Sequence, residues 1–206
     1  MNYDVSSKVE QRGVLAGMLL GVGRKDKNNF FIQHSALQEE YLLFKQQLLE
    51  QITRKPVRLT RKLTSSGKNL IRLEPKLIPL TRVLVQRLYQ KEQKTLTRKF
   101  LNYLTPQGIA IWFMDLGSKS WKKKAGKIHA LELTLNTNLN QAENEQIIAY
   151  FNQVWGWKWG LSRRKQKYRL RMGTQEGKKF IEFLRPYICP SMFYKINTSY
   201  NVKITT

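Results

Sequence analysis

A single plan is written twice along this chain, and that repetition constrains the fold more than any other feature. In residues 8–21, Val9, Gly13, Leu15, Ala16, Leu19 and Leu20 recur at three- and four-residue spacing, which predicts a helix. A short strand follows at residues 29–33. Ser35 can cap the next helix, residues 36–52, which carries Leu37, Tyr41, Phe44, Leu48 and Leu49 on one face. Residues 57–63 and 69–73 flank Ser65, Ser66 and Gly67 as a hairpin, and a third helix spans residues 80–91. The order then begins again. Thr105 caps a helix that has Pro106 at its first position and runs to Leu116. Residues 127–135 alternate as a strand, and residues 140–154 are helical with Ile147, Ile148, Phe151 and Val154 on one face. Residues 157–161 and 163–172 form the second hairpin, and residues 174–184 the last helix. Two copies of one α+β unit, residues 1–100 and 101–206, imply a pseudo-twofold axis. Their junction falls near residues 95–104, with a polar helix over residues 82–94 leading into it.

The first helix also bears on how the copies meet. Gly13, Gly17 and Gly21 lie four residues apart and so share one stripe. Each glycine inside a helix costs ~1 kcal/mol against alanine. Close approach of a second helix backbone is the compensating reason. In the second helix Ala110 matches Ala16, whereas Ile111 and Asp115 stand against Gly17 and Gly21.

Charge names the class of partner. Lys and Arg number 37 against 14 Asp and Glu, a formal charge of +23 in 206 residues. Residues 1–100 carry 20 basic and 8 acidic side chains, net +12, and residues 101–206 carry 17 and 6, net +11. Both halves are therefore equally basic, unlike a neutral domain with a basic tail. With 41% hydrophobic and 11% aromatic residues the chain is too apolar for a disordered tail. Self-repulsion at this charge costs stability, and a polyanion relieves it. The one cysteine, Cys189, excludes an internal disulfide and a multi-cysteine zinc site, and two histidines, His34 and His129, are too few for an imidazole-based metal site. No apolar run approaches the ~18 residues of a membrane span, and the N-terminus shows no signal pattern. The expectation is a soluble intracellular protein without a membrane partner.

Three segments carry a family resemblance. Residues 12–23 (RGVLAGMLLGVG), residues 104–118 (LTPQGIAIWFMDLGS) and residues 185–196 (RPYICPSMFYKI) resemble the first signature helix, the second signature helix and the C-terminal stretch of LAGLIDADG homing endonucleases of the two-motif, single-chain type. The resemblance covers nearly the whole chain. It implies two α+β halves, each with helices packed on a curved antiparallel sheet, the signature helices in contact at the axis, and a monomer with internal pseudo-symmetry. Gly13, Gly17, Gly21 and Ala110 are then the helix-interface residues.

The resemblance also marks a departure. In that family each signature helix ends with an acid before its final glycine, and the two acids bind Mg²⁺ and activate water. Here Val22 and Leu116 occupy those positions, and neither offers the oxygen ligand that Mg²⁺ requires. Asp115 is adjacent, but one helical residue turns ~100°, which aims it away from the axis site. Asp26, three residues beyond Gly23, is a second acid within reach along the chain. No catalytic residue and no metal or other cofactor is expected, with Mg²⁺ entering only if Asp115 or Asp26 restores an endonuclease.

The expected binding surface lies on the two sheets. Lys167, Arg169 and Arg171 alternate with apolar neighbours; Arg58 and Lys62 share a parity, with Arg72 on the return strand, and Lys127 shares one with His129. Residues 119–127 read as a hairpin loop presenting Lys119, Lys122 and Lys123, Arg163, Arg164 and Lys165 as the turn of the last hairpin, and Arg24 and Lys25 as the tip of a shortened first hairpin. Arginines suit base edges, and lysines suit phosphates. Three functions remain open: a nuclease-dead protein binding duplex DNA sequence-selectively, alone or as the targeting subunit of a nucleoprotein complex; an RNA maturase binding structured intron RNA; and an active endonuclease.

Overall fold

The computed structural model describes residues 3–198. Helix α1 (Lys8–Leu20) starts where the Ser7 hydroxyl accepts the Glu10 N–H. It is followed by β1 (Arg24–Asp26), β2 (Asn29–Ser35), a 3₁₀ turn at Ala36–Gln38, α2 (Glu39–Thr53), β3 (Arg58–Leu63), β4 (Asn69–Glu74) and α3 (Pro79–Leu88). A small hairpin, β5 (Tyr89–Gln90) and β6 (Gln93–Lys94), and a single turn, α4 (Arg98–Leu101), lead to α5 (Pro106–Leu116). The second half continues with β7 (Gly117–Lys124), β8 (Lys127–Leu135), α6 (Gln141–Tyr150), β9 (Gly160–Arg164), β10 (Lys167–Met172) and α7 (Thr174–Leu184), and closes in 3₁₀ turns at Arg185–Tyr187 and Pro190–Lys195.

The two large sheets have the same antiparallel order, β1-β2-β4-β3 and β7-β8-β10-β9. They also share register: Gln33 pairs with Arg72 in the first and Thr134 with Arg171 in the second. Phe30, Ile32, Ile71 and Leu73 of one sheet, and Leu131, Leu133, Leu135, Leu170 and Met172 of the other, face the helices and are buried. Alternate residues of the same strands form the opposite faces.

Several expected elements are corrected. Residues 119–127 are not a loop: β7 pairs with β8 along its whole length, and only Ala125 and Gly126 turn, both with positive φ. The lysine run hides an alternation in which Lys119 and Trp121 sit opposite the buried Leu133 and Leu131. The polar helix expected to reach residue 94 stops at Leu88, because Tyr89 turns extended and its hydroxyl bridges the Gly23 carbonyl and the Lys25 N–H, at 3.3 Å each. The helix expected over residues 140–154 leaves α geometry at Tyr150 for a π turn, Phe151–Trp155, which carries Trp155 onto Phe183. Arg163 and Arg164 lie in β9, not in the turn, which Lys165 enters with φ 56°. The helix expected from residue 36 becomes α only at Glu39.

The halves meet where α1 packs along α5. A Cβ on Gly17 would lie 2.1 Å from the Gly108 carbonyl oxygen, one on Gly13 2.2 Å from Thr105 Oγ1, and one on Gly21 2.0 Å from Asp115 Oδ2. Gly13 and Gly17 therefore meet the start of α5. Gly108 is the glycine that answers them, where the sequence alignment of the motifs sets Ile111 against Gly17; Ala110, matched there to Ala16, is buried. Gly17→Ala is expected to destabilise the protein by at least ~2 kcal/mol, since backbone at an interior contact cannot withdraw as a side chain can. Denaturant unfolding measures it, and an unchanged midpoint would contradict this packing.

Candidate nucleic-acid interface

The outward face of the first sheet carries Arg24 and Asp26 from β1, Phe31 and Gln33 from β2, Arg72 and Glu74 from β4, and Arg58, Thr60 and Lys62 from β3, as the pairing register requires. Arg58, Lys62 and Arg72 thus share a face as expected, but two of them are engaged. Arg72 lies 3.0 Å from Asp26 and 2.6 Å from Glu74, with its guanidinium 3.7 Å above the Phe31 ring, and Arg58 lies 3.8 Å from Glu74. Asp26 is held here, away from the helix ends. Lys25 has the opposite parity and is not at an exposed tip: its ammonium binds Glu92 at 2.7 Å and the Lys91 carbonyl.

The second sheet presents Ser118, Ser120 and Lys122 from β7, Glu132 and Thr134 from β8, and Lys167, Arg169 and Arg171 from β10. Lys122 and Arg171 approach Glu132 at 2.9 and 3.7 Å. Lys123, Lys127 and His129 are exposed at the far end of the β7–β8 hairpin, beyond a register shift at Lys122 and Lys123. Lys119 leaves the set, because it points to the helix side and its ammonium donates to the Asn197 carbonyl. Arg163 also faces that side, 5.9 Å from the Tyr168 ring. The side chain of Arg164 lies outside the described residues. Lys165, Lys167 and Arg169 line a pocket of about 630 Å³ with Asn136 and Asn138.

Between the sheets, the C-terminal ends of α1 and α5 open on a cleft of about 710 Å³, which Val22 and Leu116 line together with Arg24, Gln33, Lys94 and Glu143. Two lysines close the helix ends. Lys94 donates to the carbonyls of Leu19 at 2.7 Å and Gly21 at 3.4 Å, and Lys195 to those of Met114 and of Gly117 at 3.0 Å. Cations there satisfy free carbonyls and complement the helix dipole. Burial pushes both ammonium groups down to about 8. Neither lysine was marked by sequence reasoning, as each follows its own half's third helix and has no local pattern.

Asp115 was expected to stand against Gly21 and to turn away from the axis site. It lies against Gly21 and does not line the cleft; its side chain is fully buried, with Oδ2 accepting the Val22 N–H at 3.1 Å. Its Oδ1 accepts from Tyr41 at 2.9 Å and from the Lys45 ammonium at 2.5 Å. Lys45 is 3.1 Å from His34 Nε2, and His34 Nδ1 is 2.8 Å from Gln38 Oε1. Burial, and then the Lys45 charge, lower His34 to about 4, so the imidazole is neutral, accepts at Nε2 and donates at Nδ1. Burial likewise lowers Lys45, against the pull of Asp115. His34 is a strand residue as expected, but it belongs to this buried network. Of the residues lining the cleft, Glu143 alone carries a carboxylate, and both of its oxygens accept backbone N–H groups, from Leu96 and Asn140. A divalent ion thus finds no free carboxylate among the described residues of the cleft.

Residues 12–180 match the profile of the LAGLIDADG DNA endonuclease family. The chain belongs to that family. The LAGLIDADG fold is seen equally in the homing endonuclease I-WcaI, solved bound to its DNA recognition sequence, with a TM-score of 0.77 at 24% identity over 96% of this chain and 90% of that one. The chain is 28% identical over 203 residues to protein RecA of Mycolicibacterium flavescens, covering 91% of itself and 46% of that protein; it spans about half the length of the curated relatives it first matches. It is also 30% identical over 97 residues to probable intron-encoded DNA endonuclease 3 of Mycosarcoma maydis, covering 47% of this chain and 66% of that protein. Cytochrome b mRNA maturase bI2 of Debaryomyces hansenii is 25% identical over 211 residues, covering 95% of this chain and 77% of that one. In this LAGLIDADG chain the first signature helix ends at Leu20, two residues before Val22, and the second ends at Leu116.

Two outcomes test the buried network. Lys45→Met strands the Asp115 charge and should cost ~3–5 kcal/mol, whereas Lys45→Met with Asp115→Leu should recover most of it; urea unfolding measures both. His34 titrates near its ordinary 6.5 when unfolded and at about 4 when folded, so unfolding takes up a proton between those values. Its stabilising contribution is complete above pH 6.5 and is lost as pH falls through about 4. His34→Gln should flatten that part of the stability profile.

Proposed function

We propose that this LAGLIDADG protein binds duplex DNA sequence-selectively and does not cut it. Residues 1–100 and 101–206 act as two half-site readers of one monomer, which works inside the cell alone or as the targeting subunit of a larger nucleoprotein. The observation that carries the reading is the pairing of two basic, solvent-facing sheets with a central cleft lined by Val22 and Leu116. Hydrolysis in the manner of the family needs carboxylate oxygens from both helices to hold a metal that activates water. Valine and leucine supply none, and Asp115 is fully buried with both oxygens engaged. The residues present do not fit Mg²⁺, and no cofactor enters the proposal.

Binding draws unequally on the halves. Arg58 and Arg72 of the first sheet are partnered by Asp26 and Glu74. Lys167 and Arg169 of the second have no ion-pair partner among the described residues, and Lys122 and Arg171 share one acid. The second half is therefore assigned most of the phosphate contacts. Affinity should fall steeply with salt, because each neutralised phosphate releases counterions. Lys167→Ala with Arg169→Ala should reduce both affinity and the salt slope by more than Arg58→Ala with Lys62→Ala. Equal effects would remove the asymmetry, and salt-insensitive binding would remove the sheet faces. Incubated with bound duplex and Mg²⁺ or Mn²⁺, the protein should leave both strands intact. Breaks that vanish in Asp115→Asn would overturn the assignment, whereas cleavage gained by Val22→Asp with Leu116→Asp would support it.

A second reading, binding of structured intron RNA, is favoured by the match to the Debaryomyces hansenii maturase over most of both chains. Competition between duplex DNA and folded intron RNA in one gel-shift series decides between them.

A further inference from the structure

We infer that the outer part of the β7–β8 hairpin is a free-standing arm that lengthens the second half-site by about three base pairs, so that the target is lopsided about the pseudo-twofold axis. This rests on the reading of the chain as a duplex-DNA binder and adds to it the shape of the target.

The registers of the two sheets carry the inference. In the second sheet β10 accompanies β8 only from Leu133 to Leu135. Past the end of β10 the Thr174 hydroxyl fastens Leu131, accepting its N–H at 2.9 Å and donating to its carbonyl at 3.1 Å. Beyond Leu131 the hairpin consists of its own two strands, closed by the Ala125–Gly126 turn, and residues 122–127 are all exposed. The first hairpin has no such part. There β4 accompanies β2 from Ser35 to Ile32, the Asn29 amide donates to the Pro75 carbonyl at 2.7 Å, and Lys25 is tied to Glu92. That hairpin is clasped to its tip.

The difference in reach follows from strand geometry. Outside the last pair with β10, β8 has the residues Lys127–Glu132, about 20 Å of strand. Outside the last pair with β4, β2 has only Asn29–Phe31, about 10 Å. The excess of about 10 Å spans about three base pairs at ~3.4 Å each.

Charge points to the same partner. Residues 122–129 hold four lysines and no acid. Lys124 stands directly opposite Lys127, and like charges in a cross-strand pair are destabilising. A two-stranded ribbon is marginal in water even without that repulsion. The arm thus works against itself in solution and is steadied by a polyanion. The DNA major groove admits a two-stranded ribbon and is walled by phosphates on both sides. Lys123, Lys124 and Lys127, all exposed beyond the register shift at Lys122 and Lys123, supply cations to both walls. Lysines are mobile point charges, so the arm grips backbone and leaves base reading to the four-stranded sheet. At the outer end of the first sheet stand two acids instead, Asp26 and Glu74, both ion-paired with Arg72.

The experiment lets the full-length protein select its site from a randomised duplex pool and maps the selected duplex by hydroxyl-radical footprinting. An iron chelate tethered to Leu116→Cys, in the cleft, marks the site centre by local cleavage. Protection should reach about three base pairs farther from that centre on one side than on the other. Deleting Lys123, Lys124, Lys127 and Ile128 together removes two cross-strand pairs and keeps the turn. It should withdraw protection by about two base pairs on the long side and leave the short side unchanged. Replacing Lys123, Lys124 and Lys127 by Gln keeps the length of the arm; it should reduce the salt slope by about two to three and weaken protection at the long end only. This second variant carries the test if the melting temperature shows that the shortened one has not folded. Equal reach on both sides, or a long side indifferent to the arm variants, overturns this inference and leaves the DNA-binding reading standing. Failure to bind any duplex overturns both.

Discussion

Everything in this protein is hung on the contact between α1 and α5. Its centre is a contact of backbones, Gly13 and Gly17 against Gly108, with the Thr105 side chain seated over Gly13. Because the helices touch this closely and end side by side, the C-terminal ends of both converge on a single cleft. A larger residue in the stripe would separate the helices and with them the sheets. The helical cost of three glycines in α1 is the counterpart of that geometry.

The convergence creates an electrostatic problem. Two helix C-termini bring unsatisfied carbonyls and like-signed dipole ends together. Lys94 and Lys195 answer it, one from each half, at the cost of burying ammonium groups whose affinity for the proton falls accordingly. Gly21 leaves room for the Asp115 carboxylate, which caps the Val22 N–H and is neutralised by Lys45 from α2. Asp115 thus serves packing. Its charge is consumed inside the protein, and the cleft above is lined at the helix ends by two apolar side chains.

Net charge is nearly equal in the two halves, yet it is deployed unequally. The first sheet binds much of its own positive charge in ion pairs, around a β1 of only three residues. The second extends β7 to eight residues and leaves most of its cations facing solvent. Gross charge sets the class of partner, while the pairing of each cation decides how much of that charge a partner meets.

What the sequence by itself determined was the repeat, the helix-and-hairpin order, the glycine stripe and the apolar residues Val22 and Leu116 before the motif glycines. These are legible because helical and strand periodicities, caps at Ser35 and Thr105, and motif positions are properties of neighbours along the chain. The alternation of Lys167, Arg169 and Arg171 was legible for the same reason. Only the tertiary structure decided that Lys119 faces inward, that α3 halts at Leu88, that Gly108 is the partner of the stripe, and that Asp115 is buried against Lys45 and beside His34. In β7 lysines stand on both faces, so composition carries no signal of which side meets the helices. The Asp115 network joins residues 70 to 93 positions apart. Burial and proximity at that range follow from how the halves close on one another, and no local pattern records them.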